Sequence, residues 1–260
     1  GGNAISTAAG FSIGSKGYVG TGIYYDGSFK YSKKFWEYDP ASNSWTQKAD
    51  FGGISRYGVT GFSIGSKGYL GAGHKINSYY KDFWEYDPVL DIWVQKADFA
   101  GTARHGAVGF STNTKGYLGS GINDGTCYND FWEFDPGANT WTQKADLGGS
   151  TRYSAVGFVI DNKGYMGSGY NDGDYLRDFW EFDIALNLWT RKADFGGAAR
   201  YYAVGFSIGT KGYIGTGEDG GLKKDFWEFD PDFNTWTQQA DFGGTPRYGA
   251  VGFSIGNKGY

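Results

Sequence analysis

Between 57 and 65 the chain reads YGVTGFSIG, in which Val59, Gly61 and Ser63 alternate with Thr60, Phe62 and Ile64. A period of two places the two sets on opposite faces of a strand. Ser66-Lys67-Gly68 supplies a tight turn into a second strand over 68–73, GYLGAG, whose glycines permit close backbone approach or a positive φ. After a connecting loop, a third strand, DFWEYD over 82–87, stops at Asp87-Pro88. Proline pre-sets φ for the second position of a turn and the aspartate caps it. A fourth strand, IWVQKAD over 92–98, leads into a Phe-(Gly/Ala)-Gly segment followed by an arginine.

This four-strand pattern recurs. Trp36, Trp84, Trp132, Trp180 and Trp227 form one series and Trp45, Trp93, Trp141, Trp189 and Trp236 another, each stepping by 48, 48, 48 and 47, which accounts for all 10 tryptophans. A fixed period of this length means one supersecondary unit stacked on its neighbours. The units divide as 1–51, 52–99, 100–147, 148–195, 196–242 and a partial 243–260, within one domain that no linker interrupts. Four short antiparallel strands per unit and no helical periodicity predict an all-β protein, a radial β-propeller in which Phe83, Trp84, Tyr86 and Trp93 and their equivalents fill the space between blades. The 46 Gly, 21 Tyr and 20 Phe suit short strands joined by tight turns.

The unit resembles the kelch repeat, a four-stranded blade marked by glycines ending its second strand, an aromatic in its third and a tryptophan in its fourth. Here the marks are Gly71 and Gly73, Trp84 and Tyr86, and Trp93, with the family's adjacent glycine pair appearing as Gly-x-Gly. The wording KGYxGxG…DFWEYDP…WTQKADFGG is similar to kelch-type repeats of surface or secreted proteins of Bacteroidetes-like bacteria, which implies a secreted or cell-surface location. Kelch propellers close with six or seven blades, so five complete repeats plus a partial sixth imply a fragment of a longer chain. An unfinished blade has a free strand edge, a surface for self-association.

The net charge of -4 offers no basic excess for nucleic acid, and no apolar run is long enough to span a bilayer. No Gly-rich phosphate loop precedes a helix and no Gly-x-Ser-x-Gly elbow is placed between a strand and a helix, so no catalytic residue and no cofactor is assigned. Repetition also separates scaffold from site. Glu37, Glu85, Glu133, Glu181 and Glu228, and the turn acids Asp39, Asp87, Asp135, Asp183 and Asp230, occur in every unit, whereas a catalytic group is needed once.

Functional candidates lie where the units disagree, in the connections between second and third strands at 23–34, 74–82, 122–130, 170–178 and 218–225. These carry Tyr24 and Asp26, His74 and Asn77, Asp124, Tyr170 and Asp172, and Glu218 and Asp219. Antiparallel topology brings them to the same face as the segments between units, with Arg56-Tyr57, Arg104-His105, Arg152-Tyr153, Arg200-Tyr201 and Arg247-Tyr248. Two roles are open for the arginines: forked donors for an acidic ligand, or clasps on the carbonyls of the inter-blade loops. The Asn-Asp-Gly segments at 123–125 and 171–173 read as turns rather than calcium loops. His74, His105 and Cys127 share the face and could ligate a transition metal, though without a recognised spacing. The expected function is a non-catalytic module presenting this face to a protein segment or glycan. The alternative is a carbohydrate-active enzyme on a kelch propeller, similar to a sialic-acid mutarotase or a carbohydrate oxidase.

Overall fold

The computed structural model describes residues 4–260, and among these there is no helix. Five four-stranded antiparallel sheets, blades I to V, follow the chain order, with each strand hydrogen-bonded to the next. In blade II the strands are Thr60–Ile64, Lys67–Gly71, Phe83–Asp87 and Ile92–Lys96, within the ranges read from the alternation. Thr60, Phe62 and Ile64 are buried, while Gly61 and Ser63 are half-buried, as a period of two requires. The first strands, Ala9–Ile13, Thr60–Ile64, Val108–Ser111, Val156–Ile160 and Val204–Ile208, stand side by side around a central axis. A two-stranded ribbon, Ser254–Ile255 with Lys258–Gly259, packs against both Val204–Ile208 and Ala9–Ile13.

Glycine at the inner positions is a packing requirement. A Cβ on Gly116 in the second strand of blade III would run into the Phe62 ring of blade II. Between blades, the rings of Phe35 and Tyr86 lie 4.8 Å apart and those of Phe35 and Trp93 4.9 Å, and the equivalent trio Phe83, Phe134 and Trp141 joins blades II and III. Burying such rings contributes about 1.5–3 kcal/mol each. A polar staple accompanies them: Trp93 Nε1 donates to Ala49 O at 3.1 Å, and the Ala49 amide donates to Asp91 Oδ1 at 2.9 Å. Trp141 with Asn139, Trp189 with Asn187 and Trp236 with Asn234 repeat it.

The repeated carboxylates are taken up by the scaffold. Each glutamate in the third strand accepts from the tyrosine of the second, as Glu85 does from Tyr69 at 2.6 Å and Glu181 from Tyr165 at 2.8 Å. Asp87 pairs with Lys67 and accepts the Val89 amide at 2.9 Å, closing the turn.

Candidate functional site

The connections that looked like loops are hairpins in four of the five units. Ile23–Tyr25 pairs with Phe29–Tyr31, His74–Lys75 with Ser78–Tyr79, Ile122–Asn123 with Thr126–Cys127, and Tyr170–Asn171 with Asp174–Tyr175. The Asn-Asp-Gly segments make two of these turns: Asp124 and Gly125 have φ of 45° and 80°, and Asp172 and Gly173 have 43° and 104°. Positive φ at both central residues is the geometry Asp-Gly favours in a two-residue hairpin. In unit V the connection is shorter and holds only a bridge between Glu218 and Leu222.

The arginines lie beneath this face. Arg56, Arg104 and Arg152 are 0% exposed and Arg200 1%. Arg152 shows the arrangement. Its Nε donates to Ser150 O at 3.0 Å and one terminal nitrogen to Ser168 O at 3.0 Å. Both terminal nitrogens grip Asp178, at 2.7 and 2.6 Å, and Trp180 Nε1 donates to the same carboxylate at 2.7 Å. Burial acts to raise the Asp178 carboxyl, but the Arg152 bonds and charge outweigh it and hold it below the usual range. Arg56 with Asp82, Arg104 with Asp130 and Arg200 with Asp225 repeat the fork. Their guanidinium groups are also stacked on aromatics, Arg56 over Tyr80 at 3.9 Å and Arg104 over Tyr128 at 4.1 Å. Of the two roles open for the arginines, this is the clasp, with the donors committed internally. Arg247 differs: it is exposed, bonded to Thr245 and stacked on Phe242.

The carbonyl each arginine grips belongs to the middle residue of Gly-x-Gly: Ala72, Ser120, Ser168 or Thr216. All four are left-handed, with φ of 54–60°. The clasp therefore holds a backbone conformation that an L-residue enters at a cost.

Above the clasps the face is aromatic. Tyr31, Tyr57, His105, Tyr153, Tyr201, Tyr202 and Tyr248 run around the axis with ring centroids 4.8–6.2 Å apart at the contacting pairs. The hairpins add His74 and Tyr79 next to His105, and Tyr170 and Tyr175 next to Tyr201. Burial pushes the Tyr57 phenol up to about 12, and burial followed by the Glu218 charge does the same to Tyr201. His105 is pulled down to about 4, chiefly by burial and then by His74, and its Nδ1 has no hydrogen-bond partner. His74 Nδ1 lies 3.0 Å from the Tyr57 hydroxyl.

The other expected residues sit at hairpin tips or edges. Asp26 pairs with Lys30 at 2.9 Å and Asp219 with Lys223 at 2.8 Å, while Asn77 is exposed in its turn and Tyr24 lines a cavity of about 790 Å3 with Tyr31, Trp36 and Trp45 of unit I. Cys127 is half-buried in its ribbon. Among the described residues no three His, Cys, Asp or Glu side chains converge as metal ligands. Tyr31, Tyr79, Tyr175 and Tyr202 belong to the belt but are not among the residues the sequence points to. Tyr202 had a signal: it stands where other units have Gly58, Gly106, Ser154 or Gly249, and it walls a recess of about 150 Å3 on the axis.

The fold is that of a β-propeller. One solved structure, titled "Structure of YjhT", superposes with a TM-score of 0.80 over 98% of this chain and 89% of that one, at 17% sequence identity. No protein-family model matches the chain. No curated protein matches it.

Proposed function

We propose that the chain is a kelch-like, single-domain binding module that presents its aromatic loop face to a protein segment or glycan. The observation that carries this reading is the shape of the face. The recess on its axis holds only about 150 Å3, and the cavity of about 790 Å3 that Tyr24 and Tyr31 border lies at one side, against Trp36 and Trp45 of blade I, so the surface around the axis is a shallow aromatic platform. Tyrosine supplies large, rigid, amphipathic contact area at low entropic cost, which suits a flat interface or a sugar face. With the buried arginines committed, recognition falls to Tyr57, Tyr79, Tyr153, Tyr170, Tyr201 and His74, with the hairpin-tip acids as its polar rim.

The test is a glycan-array and peptide-display screen with the native chain and with a Tyr79→Ala, Tyr153→Ala, Tyr201→Ala variant. Ligands retained by the native chain and lost by the variant are expected. Ligands held equally by both overturn this assignment of the face.

A carbohydrate-active enzyme of the sialic-acid mutarotase or oxidase kind is the second reading, favoured by His105. It is a half-buried imidazole that no other unit repeats, with a buried, unpartnered ring nitrogen. Accelerated anomer exchange of N-acetylneuraminic acid, read by NMR and lost in His105→Tyr, would replace the first reading.

The ribbon Ser254–Ile255 with Lys258–Gly259 is, in this reading, the inner half of a sixth blade. Phe242, 38% exposed, and Arg247 beside it have the sequence of the clasp segments, so this side is proposed as a surface for association with a further pair of strands. A secreted or cell-surface location is proposed on the kelch resemblance.

A further inference from the structure

The larger axial cavity, about 550 Å3, opens on the face opposite the hairpins, where first and second strands turn into one another. We infer that it is a second binding site, for a neutral saccharide presenting adjacent hydroxyls. Its wall is set by one repeated position: Ser12, Ser63, Ser111, Ser207 and Ser254 encircle the axis, and Val159 replaces the serine in unit IV. A hydroxyl both donates and accepts; Ser111 Oγ donates to the Ser63 carbonyl and keeps its acceptor capacity, so the ring complements a ligand that both donates and accepts. No Lys or Arg is among the residues lining the cavity. Five lysines of these turns are paired away from it, Lys16 to Asp39, Lys67 to Asp87, Lys115 to Asp135, Lys163 to Glu181 and Lys211 to Asp230, so the lining itself offers no cation to an anionic ligand.

The cavity is also where two adjacent units leave the repeat. Units I, II, V and VI place glycine in the turn, at Gly14, Gly65, Gly209 and Gly256, with φ of 56–59°. Unit IV has Asp161 there at φ 54°, followed by Asn162, and unit III builds a different turn around Thr112 and Asn113. Asp161 thus holds a left-handed conformation that the sister units give to glycine, and it sets a single carboxylate at the rim. Its two oxygens can accept from neighbouring sugar hydroxyls, with the amides of Asn113 and Asn162 beside them. One carboxylate among neutral oxygens is too few for a divalent cation, and among the described residues no acidic cluster supplies more.

The test is NMR titration of the 15N-labelled chain with methyl α-mannoside, methyl β-galactoside and myo-inositol. Binding in the millimolar range is expected for at least one probe, with shifts at the amides of Ser63, Ser111 and Asp161. Asp161→Gly and Ser207→Val each install the residue a sister unit already carries, so both fold. Asp161→Gly is expected to weaken binding about tenfold, Ser207→Val to weaken it less, and the Tyr79, Tyr153, Tyr201 triple alanine variant to leave it unchanged. The inference is overturned by the absence of shifts at these amides up to about 100 mM, by equal affinity in Asp161→Gly, or by shifts that fall on the hairpin face.

Discussion

Replacing Arg152 by Ala tests whether the arginines hold the ring or a ligand. The side chain is 0% exposed, and its removal deletes four hydrogen bonds and leaves Asp178, 19% exposed, with only Trp180 Nε1 among its former donors. Taking one partner from a buried ion pair costs about 3–5 kcal/mol, because the other charge stays behind. Loss of the grip on left-handed Ser168 adds to this. Exchanging both partners for apolar residues, Arg152→Met with Asp178→Leu, removes both charges together. It is expected to cost less than either single change, giving a coupling of about 2 kcal/mol or more in a double-mutant cycle. Urea unfolding followed by tryptophan fluorescence reads each corner of the cycle, with Trp180 next to the site. A loss below about 1 kcal/mol for Arg152→Ala, or additive effects in the cycle, would refute the clasp argument. Ligand binding lost without loss of stability would return the arginines to the recognition surface.

Three further outcomes follow from the same geometry. Ser168→Gly is expected to stabilise by about 1 kcal/mol in thermal unfolding, since glycine relaxes φ 59° and removes a buried hydroxyl that has no partner, offset by the entropy glycine adds to the unfolded chain. Gly116→Ala is expected to destabilise by roughly 1–3 kcal/mol, read by urea titration, because the new methyl meets the Phe62 ring of the neighbouring blade. His105 folds with its pKa lowered to about 4 from an ordinary value near 6.5, so its contribution is fully present above about pH 6.5 and falls away towards pH 4. The stability of the native chain should then fall by up to roughly 3 kcal/mol more over that window than that of His105→Tyr, which carries the tyrosine of the sister units; parallel pH profiles of the two would contradict the half-buried neutral imidazole.

The strands were legible because two signals agreed at every unit: alternation such as Thr60, Phe62 and Ile64 on one face, and a turn aspartate, Asp87 or its equivalent, at a fixed offset. The inter-blade aromatics were legible too, since Phe83 and Trp93 recur at matched positions. The clasp on carbonyls was one of two roles the sequence left open for the arginines, but their carboxylate partners and the hairpins were not legible. An Arg followed by Tyr reads as a surface pair, and only the register of the sheet shows that Asp82, 26 residues later in the chain, closes on Arg56. The segment at 74–82 has too few residues for a period to show, so its pairing of His74 with Tyr79 depends on the backbone around it. The common face of Tyr57, His105, Tyr153, Tyr201 and Tyr248 was legible from the antiparallel topology, whereas Tyr31, Tyr79, Tyr175 and Tyr202 become their neighbours only when the ring forms.

Unit I gives an internal check on the clasp. Ser6 bridges to Ile23 as Tyr57 bridges to His74, which makes Ile5 the counterpart of Arg56, and Lys34 precedes Phe35 where Asp82 precedes Phe83. Both partners of the fork are therefore absent from the same unit. An arginine kept at position 5 would face Lys34, and an aspartate kept at 34 would stand without its fork, so a change at one position makes the original residue at the other costly. The replacements are consistent with that constraint. Ile5 carries no charge to compensate, and Lys34 lies 3.4 Å from Asp50 at the surface. Thr21, the unit I residue in the Gly-x-Gly place, keeps φ at 64° without an arginine on its carbonyl, its own hydroxyl turned to Gly20 O instead. The left-handed step is thus a property of the blade, and the fork is a support added to it, which is why losing the whole fork is tolerated in one unit while losing half of it in another is expected to be costly.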